Sequence, residues 1–212
     1  MTGRILLALS CCILFGTSLA VAQKNELAAG IGGVFTPDTK CTASNPQCGV
    51  NQLFTFKMHP QIAFEAEAAH RIFDLPLIST YIEVPVVGIP ARQVTIKSLV
   101  AQPAVPPDYS SIFFTPAIKF KFGAPLTPFK PFVSAGGGFA HYRISKQNNT
   151  GSTTSTNAVF QLGGGLDIAS PIPFLAFRGE IREFFAGSPS FNGLMNSTLH
   201  NLYAGGALVL HF

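Results

Sequence analysis

Charged residues recur at every second position in three short stretches: Glu65 and Glu67, Lys119 and Lys121, and the run Arg178, Glu180, Arg182. Two carboxylates at that spacing share one face of an extended strand, an arrangement that general acid–base chemistry can use. The same spacing also builds a structural lattice, because bases such as Arg71, Arg178 and Arg182 neutralise the acids. The lattice is the simpler reading, and its expected members are Glu65, Glu67, Arg71, Glu83, Lys119, Lys121, Arg178, Glu180 and Arg182. Hydrolysis of a lipid or peptide needs a different set: a serine beside a histidine, with an acid orienting the ring. His70, His141 and His200 are the available histidines, and Ser145 or Ser197 the available partners. On a strand, His141 and Ser145 would share a face yet stand about 13 Å apart. No Gly-x-Ser-x-Gly elbow occurs either. No residue is therefore assigned a catalytic role.

Neither glycine triplet, Gly136 to Gly138 or Gly163 to Gly165, precedes a helical pattern or a Gly-Lys-Ser/Thr. They read as glycine in strands whose neighbours need space, not as phosphate loops. Cys41 and Cys48 enclose six residues rich in Thr, Ser, Asn and Pro, without nearby histidines. In an exported chain they are expected to form one loop disulfide, not a metal site. No metal or cofactor is implied. The formal charge of +4 is mild and no Lys/Arg run is present, which excludes a nucleic-acid partner.

The elements that hold these residues follow from patterning. Residues 1–22 have the form of an export signal: Arg4, an apolar run from Ile5 to Phe15, and Ala20-Val21-Ala22 as a cleavage site. In residues 23–212, the barrel domain, no apolar run reaches about 18 residues, so helical spans are excluded. Yet only 11% of residues are charged, less than half the share of an ordinary soluble domain. A transmembrane β-barrel reconciles the two, since it needs apolar residues only at alternate positions.

Eight such segments are found: 26–35, 61–73, 77–87, 111–122, about 129–144, about 157–168, about 174–185, and 202–212. Short, turn-rich links at 74–76, 123–128 and 169–173 alternate with long ones at 36–60, 88–110, 145–156 and 186–201. With an even strand number, every short turn and both chain ends fall on one side. The face opposite the apolar one carries Glu26, Glu65, Glu67, Glu83, Asp167 and Glu180 with Arg71, Lys119, Lys121, Arg178 and Arg182. A soluble barrel would wet this face; a membrane barrel turns it inward, where so nearly balanced a set pairs. Eight strands enclose little more than their own side chains, so the interior is expected to be plugged. Phe35, Phe54, Phe56, Phe73, Phe129, Phe174, Phe184, Phe185 and Phe212 lie near segment ends, as aromatic girdles would.

Export signal, eight strands, alternating link lengths and a terminal Phe together resemble the small OmpA/OmpX type of outer-membrane β-barrel. Leu210 and Phe212 match the end of the signal that the barrel-assembly machinery reads in that family, while Gly205 and Ala207 depart from its beginning. The resemblance implies a bacterial outer-membrane location with external loops and periplasmic termini. It implies lipid and lipopolysaccharide as surroundings, the assembly machinery as a partner, and a monomer. Fold does not fix function. The expectation is a non-enzymatic structural or surface-interaction protein acting through its loops, with Arg92, Lys97 and Lys146 positioned to meet anionic lipopolysaccharide. A lipid-modifying enzyme and a narrow porin-like channel are the alternatives.

Overall fold

Strict alternation of apolar and polar residues leaves one row of each segment facing inward and one outward, and the segments pair edge to edge until no edge remains. The computed structural model describes residues 24–37, 39–41, 54–98, 108–124, 127–144, 154–187 and 198–212. The expected export signal, Cys48, Ser145, Lys146 and Ser197 lie outside them.

The strands are β1 (Asn25–Phe35), β2 (Thr39–Cys41), β3 (Phe54–Met58), β4 (Gln61–Asp74), β5 (Ile78–Ser98), β6 (Asp108–Phe114), β7 (Ala117–Phe122), β8 (Phe129–Ile144), β9 (Thr154–Ala169), β10 (Leu175–Gly187) and β11 (Thr198–His211). They form an all-β, closed, eight-stranded antiparallel barrel in which β6 and β7 are two halves of one staves-length strand and β2 and β3 stand beyond the barrel. β11 closes on β1, with Glu26 opposite His211 and Phe35 opposite Leu202. The closure reaches the last residue: the Asn25 N–H donates to the Phe212 carbonyl at 2.9 Å, and the Phe212 N–H to the Asn25 carbonyl at 3.0 Å.

Three departures from simple alternation shape the molecule. β5 runs to Ser98 instead of ending near residue 87; its far part pairs with β3, Met58 opposite Val94 and Phe54 opposite Ser98, and β3 pairs with β2. The two long links therefore carry a three-stranded extension beyond the barrel. Its alternation (Val94, Ile96 against Thr95, Lys97) is hidden in the sequence by Pro90 and the irregular pairing between Ile89 and Arg92.

The second departure is the break at Thr115 and Pro116. Proline offers no ladder donor, and neighbouring β5 carries Pro85 at the same level. The Thr115 N–H reaches the Pro85 carbonyl at 3.3 Å, and the Gly137 N–H reaches that of Pro116 at 3.1 Å. A side chain at Gly136 or Gly138 would overlap the backbone of Pro116 or Phe114. Both glycines are thus required by the close approach of this strand. The third departure is a register shift in β4 between Arg71 and Phe73.

Candidate functional site: the barrel interior

The inward rows meet in two layers. The one nearer the chain ends is ionic. Arg178 Nε and Nη2 donate to Asp167 Oδ1 and Oδ2 at 2.7 and 3.0 Å, Nη1 to Glu67 Oε1 at 2.7 Å, and Nη2 to Glu26 Oε2 at 3.2 Å. Arg182 reaches Glu83 Oε1 at 2.8 Å, Glu67 Oε2 at 2.5 Å, Glu180 Oε2 at 2.8 Å and Glu65 Oε1 at 3.1 Å. Lys119 bridges Glu67 and Glu83, the latter at 2.6 Å. Lys121 bridges Glu26 at 2.6 Å and Asp167 at 2.5 Å. Lys119 and Arg178 also sit over the Phe132 ring, 5.1 and 4.8 Å from its centre. Such contacts add to a cation's stabilisation where water is excluded.

Register makes this possible. Arg178 lies opposite Asp167, while Arg182 lies opposite Gly163 and Glu180 opposite Gly165 and Gly205, so small neighbours leave room for long side chains. Tyr203 uses the same device: its ring occupies the space a side chain at Gly32 or Gly205 would fill.

Of the nine residues expected in the lattice, Glu65, Glu67, Glu83, Lys119, Lys121, Arg178, Glu180 and Arg182 meet, and Glu26 and Asp167 join them. Arg71 does not. Next to the register shift in β4 it sits at the barrel's end, half-buried, and pairs with Asp74 at 3.0 Å. The buried set is therefore six acids against four bases, not the near balance expected from the sequence.

The second layer, toward the long links, is mainly aromatic and aliphatic, with Ser111 and Asn201 buried among the rings. Phe113 stacks on Phe184 with ring centres 4.8 Å apart, Tyr142 meets Phe113 edge-on at 6.2 Å, and Tyr109 meets Tyr142 at 6.0 Å. Val34, Val87, Ile89 and Ala186 complete it. This layer was not foreseen, and Phe184, expected in an outward girdle, is wholly buried within it. Its signal is visible only once inward rows are followed to their ends: Phe113, Tyr109, Tyr142, Phe184 and Val87 continue the rows of Lys119, Ser134, Arg182 and Glu83. At the boundary the Thr115 hydroxyl donates to Gln161 Oε1 at 2.6 Å, and Gln161 Nε2 donates to Glu83 Oε1 at 3.3 Å.

Outward, Leu27, Ile31, Ile82, Ile118, Ile181 and Leu208 form an exposed apolar belt, bounded by Phe73, Phe129, Phe174 and Phe212 at one end and Phe35, Phe64, Phe139 and Phe160 at the other. Leu210, like Phe212, is exposed there. An apolar surface this extensive marks contact with lipid or another apolar phase.

The outward face also holds His70, His141 and His200. His70 meets Asn25 Oδ1 at 2.8 Å and His141 meets the Thr156 hydroxyl at 2.8 Å. His200 Nδ1 lies 3.0 Å from Glu183 Oε1, beside the Phe185 ring.

No protein-family model and no curated protein matches the chain. Among solved structures it is similar to neisserial surface protein A (NspA), at 13% identity and a TM-score of 0.55 over 89% of this chain and 96% of that one. It is also similar to the outer membrane protein OprG from Pseudomonas aeruginosa, at 12% identity and a TM-score of 0.56 over 90% and 97%. At such identities the likeness lies in the fold.

Proposed function

Proceeding from a fold shared with small outer-membrane barrels, we propose that this chain is a bacterial outer-membrane protein with a filled, non-conducting interior. Its long links face the outside of the cell and both termini face the periplasm. Its role is structural or adhesive, carried by the strands that stand beyond the barrel. One observation supports this most directly: Arg182, Lys119, Phe113, Tyr142 and Phe184 are all less than 2% exposed, across both layers of the interior. An aqueous path would have to wet some of them.

The partners follow from the surface. Lipid covers the apolar belt, the assembly machinery reads Leu210 and Phe212, and anionic lipopolysaccharide meets the extension that contains Arg92 and Lys97. The reading is tested in planar bilayers, where purified barrel should give no steady conductance; a reproducible open state would refute it. Orientation is tested with a membrane-impermeant thiol reagent. Cysteine at Thr55 should label in intact cells and cysteine at Ser79 only after lysis.

A second reading rests on the Glu183–His200 contact, in which an acid orients a histidine at the rim of the apolar belt. A lipid hydrolase built on it would release acyl chains from outer-membrane lipid and lose that activity in His200→Ala. Absence of chain release from wild-type protein removes this reading.

A further inference from the structure

The ionic layer is short of positive charge, and the shortage is local. Six buried acids face four buried bases. Near the chain ends, Glu26 is held by Lys121, Arg178 and, at 3.5 Å, the His211 ring, and Asp167 by Lys121 and Arg178. Lys119 serves Glu67 and Glu83. Among the described cations, Glu65 and Glu180 pair with Arg182 alone, at 3.1 and 2.8 Å, and Arg182 also contacts Glu67 and Glu83. The two acids also meet each other: Glu65 is hydrogen-bonded to Glu180, and the buried Tyr203 hydroxyl to Glu65. Ionised carboxylates only accept hydrogen bonds, so a bond between two of them requires a proton on one. An oxygen of Glu67 converges on the same point, within 4.8 Å of both. Like charges gathered so closely resist being ionised together.

We propose that Glu65 and Glu180 share one proton, which takes the place of a missing cation beside Arg182, and that the folded barrel is alkali-sensitive in consequence. The groups facing the pair offer no other counter-charge. Glu67 on β4 and Glu83 on β5 are themselves acids, and Lys119 on β7 is engaged by both of them. Arg178 on β10 is engaged by Glu26, Glu67 and Asp167. Gln161 on β9 is turned to Thr115 and Glu83, and β1 places only Gly30 opposite Glu65. From β11 comes the Tyr203 hydroxyl, which donates to one Glu65 oxygen while the shared proton bridges Glu65 to Glu180 and Arg182 lies across both. On unfolding, the two acids become ordinary exposed glutamates, which ionise near about pH 4.3. At neutral pH the folded chain then holds a proton that the unfolded chain lacks, so stability falls as pH rises.

The test reads carboxyl protonation by infrared spectroscopy of the folded chain in detergent at neutral pH. Wild-type protein should show a protonated-carboxyl band that shifts in heavy water. Glu65→Gln should fold, because its amide donates to Glu180 as the protonated acid does, and should lose the band; Glu180→Gln should lose it too. Glu67→Gln, a change at an ion-paired carboxylate, should keep it. In urea titrations the wild type, relative to Glu65→Gln, should lose about tenfold in its folding equilibrium constant for each pH unit between about 5 and 8. No band in the folded wild type overturns the proposal, because all six acids are then ionised. A band that survives both Glu65→Gln and Glu180→Gln also overturns it, because the proton then sits on another acid. If neither variant folds, Tyr203→Phe serves instead: loss of its hydrogen bond should move the wild-type band without abolishing it, and an unmoved band overturns the assignment to Glu65.

Discussion

The two layers fill the same barrel by opposite means. Around Arg178 and Arg182 the space is taken by long charged side chains, and each guanidinium holds three or more carboxylates. Around Phe113 and Phe184 it is taken by aromatic rings packed against one another. Rings stabilise by packing, so each contact can be trimmed almost separately. The ionic layer is held as a set. Taking each ion out of water costs several kcal/mol, offset only while its counter-charges stay in place. The ionic layer should therefore fail abruptly when one member is removed, and the apolar layer gradually.

Arg182→Leu puts that difference to its hardest test. It leaves Glu65, Glu67, Glu83 and Glu180 without their shared cation and should cost roughly 3–5 kcal/mol, read from urea unfolding in lipid vesicles. Arg178→Leu should lose a similar amount. A neutral result for both would mean that the acids are already neutral and that the ionic layer is no lattice. A charge placed on the outer side of the same strands asks the complementary question. Ile118 points outward, half-exposed, next to inward Lys119. Ile118→Arg should cost about 2–4 kcal/mol if it lies at the bilayer midplane, and Phe35→Arg at the rim about 0–1. Equal small losses at both sites would deny the lipid-facing belt.

Most of the barrel could be read from alternation alone, because a period of two states which residues share a face even before the partner strand is known. The ionic cluster was legible for the same reason: Glu65, Glu67, Lys119, Lys121, Arg178, Glu180 and Arg182 all lie on rows opposite Ile, Leu and Phe. Arg71 stands apart because it lies beyond the last ionic row, at the barrel's end beside Asp74, and alternation assigns a residue to a face without fixing its depth. The aromatic layer is not legible in the same way, because a Phe in an inward row near a strand end looks, in sequence, like a girdle Phe. Only the parity of Phe184 relative to Arg182 separates it from its neighbour Phe185. The extension formed by β2, β3 and the far end of β5 was hidden by prolines, which suggest irregular loop.

Within the apolar layer the stacked pair should show a modest coupling. Phe113→Leu and Phe184→Leu, singly and together, should give an interaction energy of about 0.5–1.5 kcal/mol. A larger value would make this layer as cooperative as the ionic one and erase the contrast.

The smallest effect is expected outside the barrel, where the same chemistry meets a different surrounding. Glu183 and His200 are as close, at 3.0 Å, as many pairs within the lattice, but their side chains are 40% and 50% exposed. Polar groups in that position keep much of their hydration, which holds even exposed ion pairs to about 0.2–1 kcal/mol. Glu183→Gln should thus shift the urea midpoint far less than Arg182→Leu does, and added salt should shrink the shift further. A loss comparable to Arg182→Leu would mean that the rim at His200 is covered by lipid and as dry as the interior. Burial, and not distance between partners, is what makes the inner ion pairs indispensable and the Glu183–His200 contact expendable.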